Sequence, residues 1–218
     1  MIKSLDRISY LTNSLEEAEK TFSAFFGAKP LKKVISKDRN YESMLYGFEN
    51  MHFEIIKKND DSSEEDKLCG FSLLSDDLTL LNISTSYDEY ENNEESDNKT
   101  QLVKCIDIKQ SPDFQLSVNE YENFDMNPSN ENNLFALDHL VLTTNKSDAL
   151  INLYEKELGI RLALDQFVEK WGGRMLFFRT GHATIEVIDN KVEGNDQFWG
   201  LAWKTKDIRK KREYLVEN

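Results

Sequence analysis

Hydrophobic and polar positions alternate along one short segment in the second half of the chain. This segment, LDHLVLTT, runs from Leu137 to Thr144. Because successive side chains of a strand point to opposite faces, Leu140 and Leu142 fall on one face, and His139 and Val141 on the other. The segment is therefore predicted to be a buried strand, and it raises the question of whether His139 has a chemical role.

The period changes from two to about 3.6 directly after this strand. Apolar residues recur at helical spacing from Ser147 to Leu158, and a glycine in the position of a left-handed cap follows. A matching helix is predicted in the first half, from Ser14 to Phe26. Ser14 and Glu17 have the spacing of a capping box, and Gly27 is the predicted stop.

The segments that follow each helix return to strand patterns. The predicted strands are Pro30–Ile35, Glu42–Phe48, Met51–Lys57, Arg161–Gln166, Arg174–Thr180 and Ala183–Asp189. A new strand then begins at Gly70 in the first half and at Gly200 in the second. The elements predicted after these glycines are the helices Asp77–Ile83 and Asp207–Glu217 and the strands Gln101–Ile108 and Phe114–Glu120.

The two halves of the chain match at a constant offset. Leu137 lies 132 residues after Leu5, and Glu186 lies 132 residues after Glu54. A repeat of this length is too long for a solenoid unit and indicates a tandem duplication of a whole domain. Each domain is predicted to consist of βαβββ modules.

Two polar stretches set the predicted domain organisation. The first, YDEYENNEESDNK at 87–99, has almost no apolar residues and is predicted to be an exposed acidic loop. The second, rich in Asn and acidic residues with one proline, is predicted to be a linker at 122–134. The first domain would then be 1–121 and the second 135–218. The second copy contains fewer elements than the first, so we expect either a fragment of a longer protein or strands supplied by a partner.

Composition narrows the classes of partner. The 218 residues include 40 acidic and 27 basic side chains, a formal net charge of -13 that disfavours nucleic acid and anionic membrane surfaces. A small-molecule ligand is expected instead. The chain has no apolar signal core or membrane-length apolar stretch, and Cys69 and Cys105 are predicted to be reduced, so a cytoplasmic protein is expected.

The order of elements has a recognisable counterpart. LDHLVLTT, KELGIRL at the end of the helix, and RMLFFRTGHATIEVID, within a βαβββ-βαβββ order, resemble the vicinal oxygen chelate superfamily of glyoxalases, bleomycin-resistance proteins and extradiol dioxygenases. WGLAWKTKDI is similar to the start of a second module in tandem members. The resemblance implies an α+β fold of curved mixed sheets with helices on the outer face, and it allows a homodimer.

The resemblance also implies a candidate site. Metal-dependent members place ligands on the first and last strand of each module, positions that fall on His139 and Glu186 here. These two would hold a divalent Fe, Mn, Zn or Ni ion, and Glu186 could also act as a general base. The third position falls on Gly200, which has no ligating side chain. In the first half the corresponding residues are Arg7 and Glu54, for which we predict a salt bridge.

Three further side chains are candidates for a substrate pocket. Trp199 and Trp203 could stack on a ligand or belong to the core. Arg179 could reach an anionic group, although a solvated or ion-paired arginine is the more common case. Three functions remain open from the sequence. The first is a metal-dependent lyase, isomerase or dioxygenase, the second is a metal-free small-molecule-binding protein of the bleomycin-resistance type, and the third is a structural role for the first domain.

Overall fold

A computed structural model describes residues 1–36, 40–59, 65–91, 102–122, 124, 134–171, 173–189 and 193–217. The strands are β1 (Ile2–Leu11), β2 (Lys32–Ser36), β3 (Tyr41–Gly47), β4 (His52–Lys58), β5 (Lys67–Ser75), β6 (Tyr87–Glu91), β7 (Leu102–Ile108), β8 (Gln115–Tyr121), β9 (Leu134–Thr144), β10 (Arg161–Val168), β11 (Gly173–Thr180), β12 (Ala183–Asp189) and β13 (Gln197–Thr205). The helices are α1 (Leu15–Phe26), α2 (Ser147–Ile151), which continues into π-helical turns (Asn152–Glu157), and α3 (Ile208–Glu217).

The chain forms two compact units, each assembled from three segments. Unit 1 consists of Met1–Asp6, Gly70–Asp125 and Asp138–Ala202. Unit 2 consists of Arg7–Cys69, Met126–Leu137 and Trp203–Asn218. Four strands, β1, β5, β9 and β13, contribute residues to both units.

Unit 2 contains a sheet in the order β2-β3-β4-β1, in which β1 and β4 are parallel. Helix α1 begins as predicted: the Ser14 side chain accepts a hydrogen bond from the backbone N–H of Glu17, and Gly27 takes the left-handed conformation. Its aromatic side chains pack on the sheet, with the ring of Phe22 5.0 Å from that of Phe53. Apolar burial on this face therefore fixes the helix to the sheet.

The last segment of the chain packs against the end of α1. Lys211 is almost fully buried, donates a hydrogen bond to the backbone carbonyl of Phe25, and has its ammonium 4.7 Å from the ring centroid of Tyr214. Burial lowers the pKa of Lys211. A cation at this place compensates the carbonyl groups at the C-terminal end of α1.

Unit 1 contains strands of two mixed sheets. In one, the order is β5-β8-β7-β6 with β5 and β8 parallel; in the other it is β10-β11-β12-β9-β13 with β12 and β9 parallel. One face of the five-stranded sheet forms the core of the unit. It consists of fully buried side chains: Leu140, Leu142, Leu176, Phe178, Ile185 and Val187.

A buried carboxylate joins the helical segment Asn152–Glu157 to the loop before β6 in unit 1. Glu157 is 7% exposed, and its Oε2 accepts hydrogen bonds from the backbone N–H groups of Ser84 and Thr85, both at 3.0 Å. Its Oε1 accepts from the Ser84 hydroxyl at 2.7 Å and from the Asn152 amide at 2.8 Å. Burial acts to raise the pKa of Glu157, but the hydrogen bonds from Thr85 and Ser84 hold it below its usual value.

The α+β prediction and the predicted strand-and-helix order are confirmed. Two local predictions are wrong. The helix expected at Asp77–Ile83 is a single 3₁₀ turn at Leu78–Leu80, and the start of the predicted acidic loop, Tyr87–Glu91, is strand β6. The rest of that loop, 92–99, lies outside the described residues.

The linker proposed at 122–134 also falls mostly outside the described residues, so the domain boundary stays a prediction. Cys69 and Cys105 are thiols, as predicted. Within the described part of the chain, no helix combines the length and the apolar character that a membrane crossing requires.

Candidate functional site

His139 and Glu186 lie side by side on the second face of the five-stranded sheet of unit 1. Strands β9 and β12 are parallel, with His139 opposite Thr184 and Val141 opposite Glu186. Directly paired residues share a face, so the histidine and the carboxylate point the same way. The Nε2 atom of His139 is 3.4 Å from Oε2 of Glu186. The structure therefore brings together the two residues that the family resemblance assigned to metal-ligand positions.

The pair is half-buried, and its surroundings set its electrostatics. The side chain of Glu186 is 14% exposed and that of His139 is 30% exposed. Burial raises the pKa of Glu186, and the nearby His139 offsets part of this effect. On its other side, Nδ1 of His139 is 2.9 Å from Oδ2 of Asp138. A carboxylate therefore lies beside each ring nitrogen of His139.

The side chains around this pair do not complete a metal site. A divalent ion needs at least three protein ligands in a stable site, and the pair supplies two. Gly200, the third position implied by the resemblance, has no side chain, and a Cβ atom there would meet nothing within 4 Å. Among the described residues, no group of three or more His, Cys, Asp or Glu side chains could hold a metal. The side chains that the structure describes around this pair therefore do not fit a protein-bound divalent ion.

The corresponding positions of unit 2 carry an ion pair instead. Nη1 of Arg7 donates to Oε2 of Glu54 at 2.8 Å, with the two side chains 27% and 12% exposed. The predicted salt bridge is confirmed. The guanidinium of Arg7 neutralises Glu54, whereas the matching carboxylate of unit 1, Glu186, lies beside a histidine, so the two copies of the module differ in chemistry at the same sequence positions.

The remaining residues on the His139 face follow from the strand register. Arg179 is opposite Thr184, and its Nη1 donates to the Thr184 hydroxyl at 3.0 Å, which places both on the face of His139. Phe177 is opposite Glu186 and shares this face. Arg161 is opposite Arg179 on the edge strand β10. Phe177 and Arg161 were not among the predicted site residues, because only the register of three strand pairs brings them to this face.

The two predicted pocket tryptophans lie in different surroundings. Trp199 is 71% exposed. Trp203 belongs to unit 2, where its ring centroid is 4.6 Å from that of Phe48 and 5.2 Å from that of Phe26. Packing accounts for the position of Trp203, whereas a ligand-binding role for either tryptophan stays a prediction.

Solved structures share this architecture over the whole chain. No family model and no curated protein matches the sequence. A triple mutant of 4-hydroxymandelate synthase from Streptomyces coelicolor has a TM-score of 0.70 at 13% identity, covering 100% of this chain and 75% of that chain. BphC, a halotolerant catechol dioxygenase, has a TM-score of 0.65 at 10% identity, covering 100% of this chain and 76% of that chain.

A variant of homoprotocatechuate 2,3-dioxygenase from B. fuscum has a TM-score of 0.66 at 11% identity, covering 99% of this chain and 61% of that chain. The chain has a vicinal oxygen chelate fold. The predicted resemblance is thereby confirmed for the architecture. At these identities the likeness concerns the fold and leaves the chemistry to the residues on the sheet face.

Proposed function

We propose that the protein binds a small molecule on the face of the unit 1 sheet that carries His139 and Glu186. The observation that supports this is the half-buried pair, 3.4 Å apart, on the opposite side of the sheet from the fully buried core. Phe177, which is partly exposed, lies opposite Glu186 on the same face and provides apolar contact area. An apolar surface with a few convergent polar groups is the usual composition of a ligand site.

The pair would anchor a polar group of the ligand. A carboxyl group with a raised pKa next to an imidazole can accept or donate a hydrogen bond, depending on which partner holds the proton. A hydroxyl, carbonyl or amine could therefore be recognised here without a metal ion. This is the metal-free binding function that the bleomycin-resistance branch of the resemblance implies.

A second candidate function is metal-dependent lyase, isomerase or dioxygenase chemistry. It is supported by the position of His139 and Glu186, which matches the first and second ligand positions of the resemblance. Two solved neighbours are named as dioxygenases and one as a synthase. This candidate needs at least one further ligand that is not among the described residues. It therefore ranks second.

Thermal-shift screening of the full chain against small aromatic and polar compounds tests the proposed binding face. Compounds that stabilise the protein should lose their effect in His139→Ala and Glu186→Gln and keep it in His182→Ala, a histidine in an exposed turn. If the stabilising compounds act equally on all three variants, this face is not the ligand site.

Elemental analysis separates the two candidates. Under the metal-free proposal, protein loaded with Fe, Mn, Zn or Ni salts and then desalted should retain the same negligible metal with or without the His139→Ala substitution. Stoichiometric metal in the unsubstituted protein that His139→Ala abolishes would favour the second candidate over the first.

A further inference from the structure

We infer that the ligand of this face is an anion: a small molecule with an apolar body and a carboxylate or phosphate group held by Arg161 and Arg179. The inference rests on the proposed function and specifies the ligand class of the same site. It is carried by a row of side chains that crosses four strands of the unit 1 sheet.

The row follows from three strand pairings. Arg161 of β10 is opposite Arg179 of β11, Arg179 is opposite Thr184 of β12, and Thr184 is opposite His139 of β9. Because directly paired residues share a face, all four side chains lie on the face of the proposed site. The hydrogen bond from Arg179 to Thr184 confirms this orientation for the middle of the row.

The two arginines are a like-charged pair on neighbouring antiparallel strands. Directly opposed like charges destabilise a sheet. Both side chains are exposed, and neither has an acidic partner among the described residues.

Arg174, the third arginine of strands β10 and β11, is ion-paired and provides a comparison. Arg174 donates to both oxygens of Asp165, at 2.7 and 2.6 Å, and to Asp148 at 2.7 Å. It lies on the opposite face of β11, next to helix α2. The charge of Arg174 is thus neutralised by carboxylates, whereas Arg161 and Arg179 on the ligand face keep exposed guanidinium N–H donors. An anion bound between them would supply the missing charge in the bidentate geometry that guanidinium groups favour.

The row next to the arginines is apolar on strands β10 and β11. Leu164, 45% exposed, is opposite Phe177, and Phe177 is opposite Glu186. Strands in a sheet are about 4.8 Å apart, so the backbone positions of Arg179 and His139 are separated by roughly 10 Å. A ligand of that length could place its anionic group on the arginines, its body on Phe177 and a polar group on His139. One or two fused rings bearing an acid have this size.

A pair of probes that differ only in charge tests the inference. We would measure binding of 2-naphthylacetate and 2-naphthylacetamide to the full chain by isothermal titration calorimetry. The acid should bind at least about tenfold more tightly than the amide, corresponding to about 1.4 kcal/mol. In the Arg161→Gln/Arg179→Gln variant the preference should fall to within about twofold, with the amide affinity unchanged. Arg209→Gln, an exposed arginine of α3, should retain the full preference.

The outcomes separate this inference from the proposed function. Equal binding of acid and amide, or a preference for the acid that survives the double substitution, would overturn the anion inference and leave small-molecule binding intact. If neither probe binds, and His139→Ala has no effect in the compound screen, the binding face itself is wrong and the inference fails with it.

An independent measurement uses inorganic phosphate as the probe. Side-chain Nε–H resonances of arginines can be followed during a phosphate titration by heteronuclear NMR. The resonances of Arg161 and Arg179 should shift together with one saturating curve, while that of Arg209 moves only with ionic strength. Parallel, non-saturating changes in all three would contradict a specific anion site.

Discussion

Replacing Glu157 with glutamine should destabilise unit 1 far more than a surface substitution does. The carboxylate is 7% exposed and accepts four hydrogen bonds, two of them from the backbone N–H groups of Ser84 and Thr85. Glutamine keeps one acceptor oxygen and places an NH₂ group where the other oxygen was. Two of the four hydrogen bonds are therefore lost, and a donor then faces donors.

The expected cost follows from these contacts. A hydrogen bond to a charged acceptor contributes about 1.5–3 kcal/mol, but the Ser84 hydroxyl and the Asn152 amide can each reorient toward another partner. We therefore expect a decrease in the free energy of unfolding of about 2–3 kcal/mol at neutral pH. Glu155→Gln, on the exposed side of the same helical segment, should change it by less than about 0.5 kcal/mol.

The pH dependence gives this prediction a second test. Since the hydrogen bonds hold the pKa of Glu157 below its ordinary value of 4.5, the folded state binds this proton less readily than the unfolded state. The stabilisation is then fully present above the unfolded pKa and is lost as the pH falls through the folded pKa. The unsubstituted protein and the Glu157→Gln variant would be unfolded with urea between about pH 7 and pH 3.5. Their free energies of unfolding should converge as the pH falls below about 4.5. A difference that stays constant over this range, or is absent at pH 7, would refute the reasoning.

Three other substitutions have expected outcomes. Arg7→Ala leaves the carboxylate of Glu54 half-buried without its guanidinium and should lower the free energy of unfolding by about 2 kcal/mol. A double-mutant cycle with Glu54→Ala, measured by urea unfolding, should give a coupling energy of about 1 kcal/mol. A coupling energy near zero would contradict a stabilising pair. Gly181→Ala should cost about 2 kcal/mol or more, because Gly181 has a φ of 60° and a Cβ there would lie 2.7 Å from a backbone carbonyl oxygen. Gly200→Ala should change the free energy of unfolding by no more than about 0.5 kcal/mol, because a Cβ atom at this position meets nothing within 4 Å. Both glycine variants would be measured by thermal denaturation, and equal losses of stability at the two positions would be inconsistent with the structure.

The element order could be predicted from local periods, and the central pair from the repeat together with the family resemblance. Alternation along LDHLVLTT predicted the face of His139, the offset aligned Glu186 with Glu54, and the resemblance assigned His139 and Glu186 to neighbouring ligand positions. Neither step requires knowledge of loop conformation. The Arg7–Glu54 pair followed from the same alignment, since a guanidinium and a carboxylate at two contacting positions form an ion pair.

Strand β6 could not be predicted from composition, because its acidic residues gain partners only from the neighbouring strand. Asp88 pairs with Lys109 at 2.5 Å, and Glu89 approaches Lys104 at 3.8 Å. The backbone of β6 is hydrogen-bonded to β7 along its length. These cross-strand contacts offset the low apolar content that predicted a loop.

The row of arginines was equally hidden from sequence reasoning. Arg161 faces Arg179 only in the actual register of β10 and β11, and that register shifts at a bulge between Leu162 and Leu164. A bulge moves every later side chain to the other face, and no local pattern around Arg161 reports its presence. The arginines could be named from the sequence, but their pairing could not.

The assembly of unit 2 from three segments has a consequence for protein synthesis. The aromatic rings of Phe26 and Phe48 pack on Trp203, which lies 134 residues beyond Cys69, the end of the first segment. At translation rates of about 5–20 residues per second, roughly 10 s pass between the synthesis of Cys69 and the synthesis of Trp203. During that time the nascent chain exposes an apolar surface that it cannot yet cover. The packing of Phe26 and Phe48 can therefore be completed only after Trp203 has been synthesised.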